Sequence, residues 1–203
     1  MKLTWMGHAC FTLEQDGYTV ITDPYTGVEG YPPLAVSAHA VFCSHHHFDH
    51  DAVDCVTLLK EGNSPFTIRE VPSFHDDQGG SLRGTNTIRV FTAGDVSVVH
   101  LGDLGHQLTE EQLAAIGKVD GVLVPVGGVY TVDAQGAKQV CQAIGPKWVV
   151  PMHYRHAPHG LANVSSVERF LELFCGGEVT TLPGPSFTVT PELRGILVPT
   201  YRG

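Results

Sequence analysis

His45-His46-His47-Phe48-Asp49-His50 is the stretch on which the reading of this chain turns. Side chains alternate along an extended backbone, so His45 and His47 project to the same side and can share one cation. His46 occupies a free position between them and is read as a solvent or packing residue. Asp49 and His50 follow where the chain is expected to turn into a helix. They point in a new direction, where they can serve a second cation close to the first. Neutral imidazole and ionised carboxylate are the donors that zinc takes after thiolate. The cluster is fed by Val41–Cys43, a short apolar run read as a buried strand. It is followed by Ala52–Lys60, where Val53, Val56, Leu58 and Leu59 have helical spacing.

On the N-terminal side, Leu3–Trp5, Phe11–Leu13 and Tyr18–Thr22 read as opening antiparallel strands, with Asp16-Gly17 turning between the last two. Met1–Phe11, interrupted by Trp5, Gly7 and His8, reads as part of this sheet rather than as a secretory signal. On the C-terminal side, Thr87–Phe91 and Val96–His100 flank Thr92-Ala93-Gly94-Asp95 as a hairpin that runs into Leu101-Gly102-Asp103. Thr109 with Glu110 and Glu111 has the composition of a helix start ahead of Leu113–Ile116. Gly121–Val126 and Trp148–Pro151 are apolar strands, and Asp133–Ala143 and Ser165–Phe174 are expected helices. Val179–Leu182, Phe187–Thr190 and Ile196–Pro199 are expected closing strands. The pattern predicts an α+β chain with two sheets face to face and helices outside. Tyr25–Ser37 and Tyr154–Val164 are the longest irregular stretches and are candidate rims over a site.

The 203 residues fit a single domain, 1–203. No apolar run reaches the roughly 18 residues that a membrane-spanning helix needs. A formal charge of −9, with 12 Lys and Arg that form no cluster, argues against a nucleic-acid partner and does not settle the substrate, expected to be a small molecule on other grounds. Two divalent ions in one cleft would reverse the charge locally, which leaves room for an anionic group on that substrate. Cys10, Cys43, Cys55, Cys141 and Cys175 are odd in number, widely spaced and without a Cys-x-x-Cys pair. That usage suits thiols in a reducing, cytoplasmic compartment. Gly127-Gly128-Val129-Tyr130-Thr131 lacks the spacing of a dinucleotide fingerprint and reads as a tight strand-to-helix turn near the site. There is no Gly-x-Ser-x-Gly elbow, so serine catalysis has no support in the sequence.

The cluster, in its strand-before context, resembles the metallo-β-lactamase superfamily, and its motifs can be matched in order over nearly the whole chain. Asp23 in Thr22-Asp23-Pro24 matches the first motif and His45–His50 the second. His75 in Ser73-Phe74-His75-Asp76-Asp77 matches the third, Asp103 after Gly102 the fourth, and His153 in Pro151-Met152-His153-Tyr154 the fifth. Trp5-Met6-Gly7-His8, Gly102-Asp103 and Pro151-Met152-His153-Tyr154 are similar to the compact cytosolic hydrolases related to L-ascorbate-6-phosphate lactonase and N-acylphosphatidylethanolamine phospholipase D. The resemblance implies a four-layer αββα sandwich and a dinuclear metal centre. His45, His47 and His75 would hold one ion, Asp49, His50 and His153 the other, and Asp103 would bridge both. Zinc is the expected metal, with manganese and iron as alternatives. A metal-bridging hydroxide would attack an ester, lactone or phosphodiester of a small metabolite, with Asp49 and Asp103 in the catalytic set and Tyr154 as a candidate proton donor.

Around these ligands, Asp23 is expected to orient a ligand histidine by accepting its second ring hydrogen. His8 is placed in the same outer layer, and His100 is read as a packed or supporting imidazole. His106, His156 and His159 are assigned to the pocket rim or the surface. Two readings compete with hydrolysis. A non-catalytic metal-binding protein would carry its metal without turning over esters. A diiron redox protein is disfavoured by His47, where such proteins typically carry Glu, and by the lack of residues for a flavin domain.

Overall fold

Leu3, Trp5, Phe11, Leu13 and Val20 fall on one face of three consecutive strands and are all fully or almost fully buried. In the computed structural model, which describes residues 1–60, 62–174 and 178–201, these strands are β1 (Lys2–Gly7), β2 (Cys10–Gln15) and β3 (Tyr18–Thr22). They form an antiparallel meander whose second turn places Asp16 and Gly17 at positive φ, the geometry that suits a two-residue hairpin. Cys10 and Ile21, one residue out of phase, face the other way into a smaller apolar cluster with Tyr25, Val28 and Val56.

The first sheet is completed by β5 (Ala40–Phe42), parallel to β3, and β13 (Ser186–Thr188), antiparallel to β1. The second sheet has seven strands. Its order is β12 (Val179–Thr181), β14 (Gly195–Val198), β11 (Trp148–Met152), β10 (Gly121–Pro125), β9 (Val96–His100), β8 (Thr85–Ala93) and β7 (Thr67–Phe74). Pairing is parallel from β12 to β9 and antiparallel across β9, β8 and β7. Every residue of β10 and β11 is buried, as expected of central parallel strands covered on both faces. The main core joins the two sheets and continues into helices α1 (Glu110–Ile116), α2 (Ala134–Ile144) and α3 (Glu168–Leu171) through Ile116, Ala137, Val140 and Phe170. The α+β sandwich expected from the sequence is thus the observed architecture. Thr109 and Gln112 close a reciprocal capping box at α1, and Asp133 caps α2.

Three local expectations are corrected. Ala52–Lys60 is not a helix: one 3₁₀ turn, Val53–Cys55, leads into β6 (Val56–Leu58), which pairs with β4 (Val36–Ala38). Val53, Leu58 and Leu59 are exposed, so their helical spacing never met a core. β-branched Val56 and Thr57 favour the extended form that they take in β6. The helix expected over Ser165–Phe174 shrinks to Glu168–Leu171 because Ser165 is tied to other segments, its N–H donating to Gly127 O and its carbonyl accepting from Arg155 N. The third is β7, an edge strand absent from the sequence reading. Pro72 and the charged pair Arg69 and Glu70 obscure its alternation, yet proline is at home on an edge.

Gly121 opens β10 where the strand passes the Trp148 indole of β11, and a Cβ there would lie 2.1 Å from the ring. Gly121→Ala should therefore destabilise the protein by about 1–3 kcal/mol through overpacking. Urea unfolding measures this, and a midpoint equal to the parent's would mean that the two strands are not packed at this distance.

Candidate metal centre

The polar side chains that the motif analysis singled out leave the sheets at the C-terminal ends of β1, β3, β5, β7, β9 and β11. His8 follows Gly7, Asp23 follows Thr22, His75 follows Phe74 and His153 follows Met152; the His45 loop and Asp103 come just after β5 and β9. His8, Asp23 and His153 all have positive φ, an uncommon state for residues other than glycine. Such backbone persists where surrounding structure holds it, and here His153 N donates to His8 O. Gly102 lets the β9 end approach the His45 loop: a Cβ would sit 2.5 Å from the Ser44 Cβ and 2.3 Å from Asn86 Oδ1.

Three overlapping groups of metal-capable atoms result, each within 4.8 Å of one another: His45, His47 and His75; His8, Asp49, His50 and His153; and His45, His50 and Asp103. Asp103 connects them. Its Oδ2 lies 3.3 Å from His75 Nε2 and 3.1 Å from His153 Nε2, while Oδ1 lies 3.2 Å from His50 Nε2. Apart from His47, these residues are buried.

Ring orientation is set from behind. His50 Nδ1 donates to Asp23 Oδ2 at 2.8 Å, and His75 Nδ1 donates to Tyr130 O at 3.1 Å. Both contacts leave the Nε2 lone pair facing the centre, the arrangement that ligating imidazoles require. Asp23 also accepts the Ser44 N–H and hydroxyl, and Ser44 Oγ lies 3.0 Å from His45 Nδ1. The Nε2 atoms of His45, His50 and His153 and Asp103 Oδ1 have no hydrogen-bond partner although buried. Buried polar atoms without partners are costly, and several convergent ones with the donor chemistry of a transition-metal site fit divalent cations.

Electrostatics agree. Burial alone would raise the Asp103 carboxyl, but His153 and His50 beside it draw it well below the usual range. Asp23, likewise buried, is drawn down to about 2 by His50 and Ser44. Burial would lower His50 too, yet Asp103 and Asp23 on its two sides hold it well above an ordinary histidine. Burial lowers His8 to about 4, and burial with the neighbouring His50 lowers His45 to about 3, so both rings are neutral at physiological pH. The centre concentrates carboxylates whose charge partners among the described residues are imidazoles.

The seven ligands expected from the sequence are brought together, and Asp23 lies directly behind His50. His8 is closer than expected: Nε2 is 3.2 Å from Asp49 Oδ2 and belongs to the group with His50 and His153. Tyr154 is placed elsewhere. It is buried against Trp5, with ring centres 5.5 Å apart, and is not among the residues lining the cleft over the metal centre. His100 is structural, with Nε2 donating to Ala9 O and Nδ1 accepting from Gly102 N. His46 is exposed and contacts Asp51 at 2.6 Å. His106 accepts from Phe74 N, and His156 and His159 pair with each other outside the centre. The sequence reading missed Ser44 and Asn86. Asn86 Oδ1 accepts the Asp103 N–H at 3.0 Å, and its amide donates to Ser73 Oγ and Leu101 O. A lone Asn in a strand and a Ser beside a histidine run carry no signal of their own.

A centre assembled from strand ends of two facing sheets, with His-x-His-x-Asp-His at its heart, defines a class. Residues 2–153 match the family model of the beta-lactamase superfamily domain, and the chain belongs to that superfamily. Within it, the chain belongs to the UPF0173 metal-dependent hydrolase family. It is 31% identical to a member from Methanoculleus marisnigri, over 96% of this chain and all of the relative, and 28% identical to one from Carboxydothermus hydrogenoformans, over 83% and 91% of the two chains. A crystal structure of a candidate Zn-dependent hydrolase of the metallo-β-lactamase superfamily from Thermotoga maritima superposes with a TM-score of 0.77, at 32% identity and 99% coverage of both chains. The short form of human tRNase Z shares the fold alone, at 11% identity and a TM-score of 0.56 over 80% of this chain and 96% of that one.

If Asp23 sets the His50 ring, Asp23→Ala should weaken zinc binding about 10- to 100-fold. Competition with a chromophoric chelator measures this, in protein whose thermal unfolding remains cooperative. Unchanged affinity would remove His50 from the ligand set.

Proposed function

We propose that this protein is a hydrolase acting through two divalent ions, zinc foremost, on an ester, lactone or phosphodiester of a small metabolite. The observation that carries the reading is the Asp103 carboxylate, set within 3.3 Å of imidazoles from both sides of the centre. One carboxylate so placed can bridge two ions. In this reading His45, His47 and His75 would hold one ion, and Asp49, His50 and His153 the other. Zinc bound there would supply a water acidified to a pKa near 7 and a Lewis acid for the scissile carbonyl or phosphoryl group.

The chain's own residues hold that arrangement. Asp23 keeps the His50 proton on Nδ1, the Tyr130 carbonyl does the same for His75, and His8 steadies Asp49 through its Oδ2. The cleft above is about 340 Å³ and is lined by His47, Phe48, Asp49, Tyr130 and Leu161 among others. That size suits a small molecule. Cys10, Cys43, Cys55 and Cys141 are unpaired, which supports a reducing cytoplasmic setting; Cys175 lies outside the described residues.

Zinc-reconstituted protein should hydrolyse at least one of bis(p-nitrophenyl) phosphate, a γ-lactone and a p-nitrophenyl ester, with activity lost to chelator and restored by zinc. Asp103→Ala and His153→Ala should each lower metal content and reduce turnover at least about 100-fold, the upper end of what losing an outer partner costs. A full metal complement with no turnover of any of these would favour the non-catalytic reading.

A further inference from the structure

Among the described residues that line the cleft, Arg83 is the one permanent cation. Its guanidinium donates from Nη2 to Val129 O at 3.1 Å and lies 5.8 Å from the Tyr130 ring centre, and no carboxylate among the described residues pairs with it. Arg89, in the neighbouring hollow of about 590 Å³, behaves otherwise: its Nε donates to Glu70 and its Nη1 to Cys43 O. Arg83, like His47, lines both spaces and so stands between them. A guanidinium has five N–H donors in a planar fork matched to carboxylate or phosphate, so most of its donors remain to be met.

The fork is held in place. Asp76 accepts the backbone N–H groups of Gln78, Gly80, Leu82 and Arg83 at 2.8–3.0 Å, which closes the loop that carries Arg83. Val129, whose carbonyl receives the guanidinium, has φ +63°, an outlier for a β-branched residue. The next carbonyl, Tyr130 O, receives His75 Nδ1. Consecutive peptide groups of one strained turn thus fix both an expected metal ligand and the cleft's free cation. Phe48, 57% exposed, and Leu161 supply an apolar wall alongside. Strain at a site of this kind is retained where surrounding contacts impose it.

We infer that Arg83 is a specificity residue that selects substrates carrying an anionic group, carboxylate or phosphate, apart from the bond that is cleaved, on a compact apolar body that rests on Phe48 and Leu161. The inference rests on the dinuclear hydrolase reading, since it takes the metal centre as the place of the scissile group. The test uses zinc-loaded protein and two phosphonates, benzylphosphonate and its 4-carboxy derivative, with the 3-carboxy isomer to vary reach. Calorimetric titration should show the better carboxylated isomer binding at least about 10-fold more tightly than benzylphosphonate, the gain of a charge-assisted contact. In Arg83→Met, at wild-type metal content, that ratio should fall to about one. Arg83→Lys should keep part of it, having the charge without the fork. Equal binding of all three phosphonates to the parent protein, or a carboxylate advantage that survives in Arg83→Met, would overturn the inference. If benzylphosphonate itself failed to bind, the metal-centred reading would fall and this one with it.

Discussion

Asp103 is a carboxylate almost wholly removed from water, with imidazole nitrogens at 3.1–3.3 Å on three sides and no lysine or arginine among its ion pairs in the described residues. Burying such a charge is expensive unless positive charge meets it. Burial lowers His8, His45 and His75, so those rings resist taking up a proton, while His50, between its two aspartates, is held above an ordinary histidine. Bound divalent metal would satisfy the carboxylates and the unpartnered Nε2 atoms together. The rest of the molecule is arranged so that these donors reach the same few ångströms.

That arrangement follows from topology. Parallel pairing of β3 with β5 and of β9 with β10 and β11 sends several strand ends toward one rim, and the facing sheets bring the two sets together. Strands are rigid, so a residue just beyond a strand end is placed far better than one in a long loop. The remaining freedom is removed by positive-φ backbone at His8, Asp23 and His153 and by buried hydrogen bonds from Ser44 and Asn86.

What the sequence shows of this depends on how local the cause is. The His45–His50 spacing, the central strands, the start of α1 and the helix α2 are written within a few residues, and the structure has them where the pattern puts them. His75, Asp103 and His153 became readable only through ordered resemblance, because nothing near them states that they meet. The helix expected at Ala52–Lys60 failed since spacing records which side chains share a face, not whether a core waits opposite. Ser165–Phe174 failed because hydrogen bonds to Gly127 and Arg155, distant in sequence, outbid local helical preference. β7 was hidden for the converse reason: an edge strand tolerates Pro72 and exposed charge, which erases the alternation that marks inner strands.

The two halves of the site have different physical foundations. Of the candidate metal donors, His75, Asp103 and His153 stand at or just beyond strand ends, which the sandwich positions whatever the surface does, while His45–His50 form the loop after β5. The cleft wall is made by loops: Phe48 within the histidine cluster, Arg83 on the loop that Asp76 closes, Tyr130 in the strained turn and Leu161 in an irregular segment. Loops of this kind can change without cost to the sheets beneath them. A shared fold therefore carries over the metal chemistry more readily than the substrate. In this chain the loop half is tied to the metal half at Val129 and Tyr130, where neighbouring carbonyls hold Arg83 and His75. A shift of that turn would move the Arg83 fork and the His75 imidazole together, so the cleft wall and the His/Asp cluster are mechanically coupled at this one point.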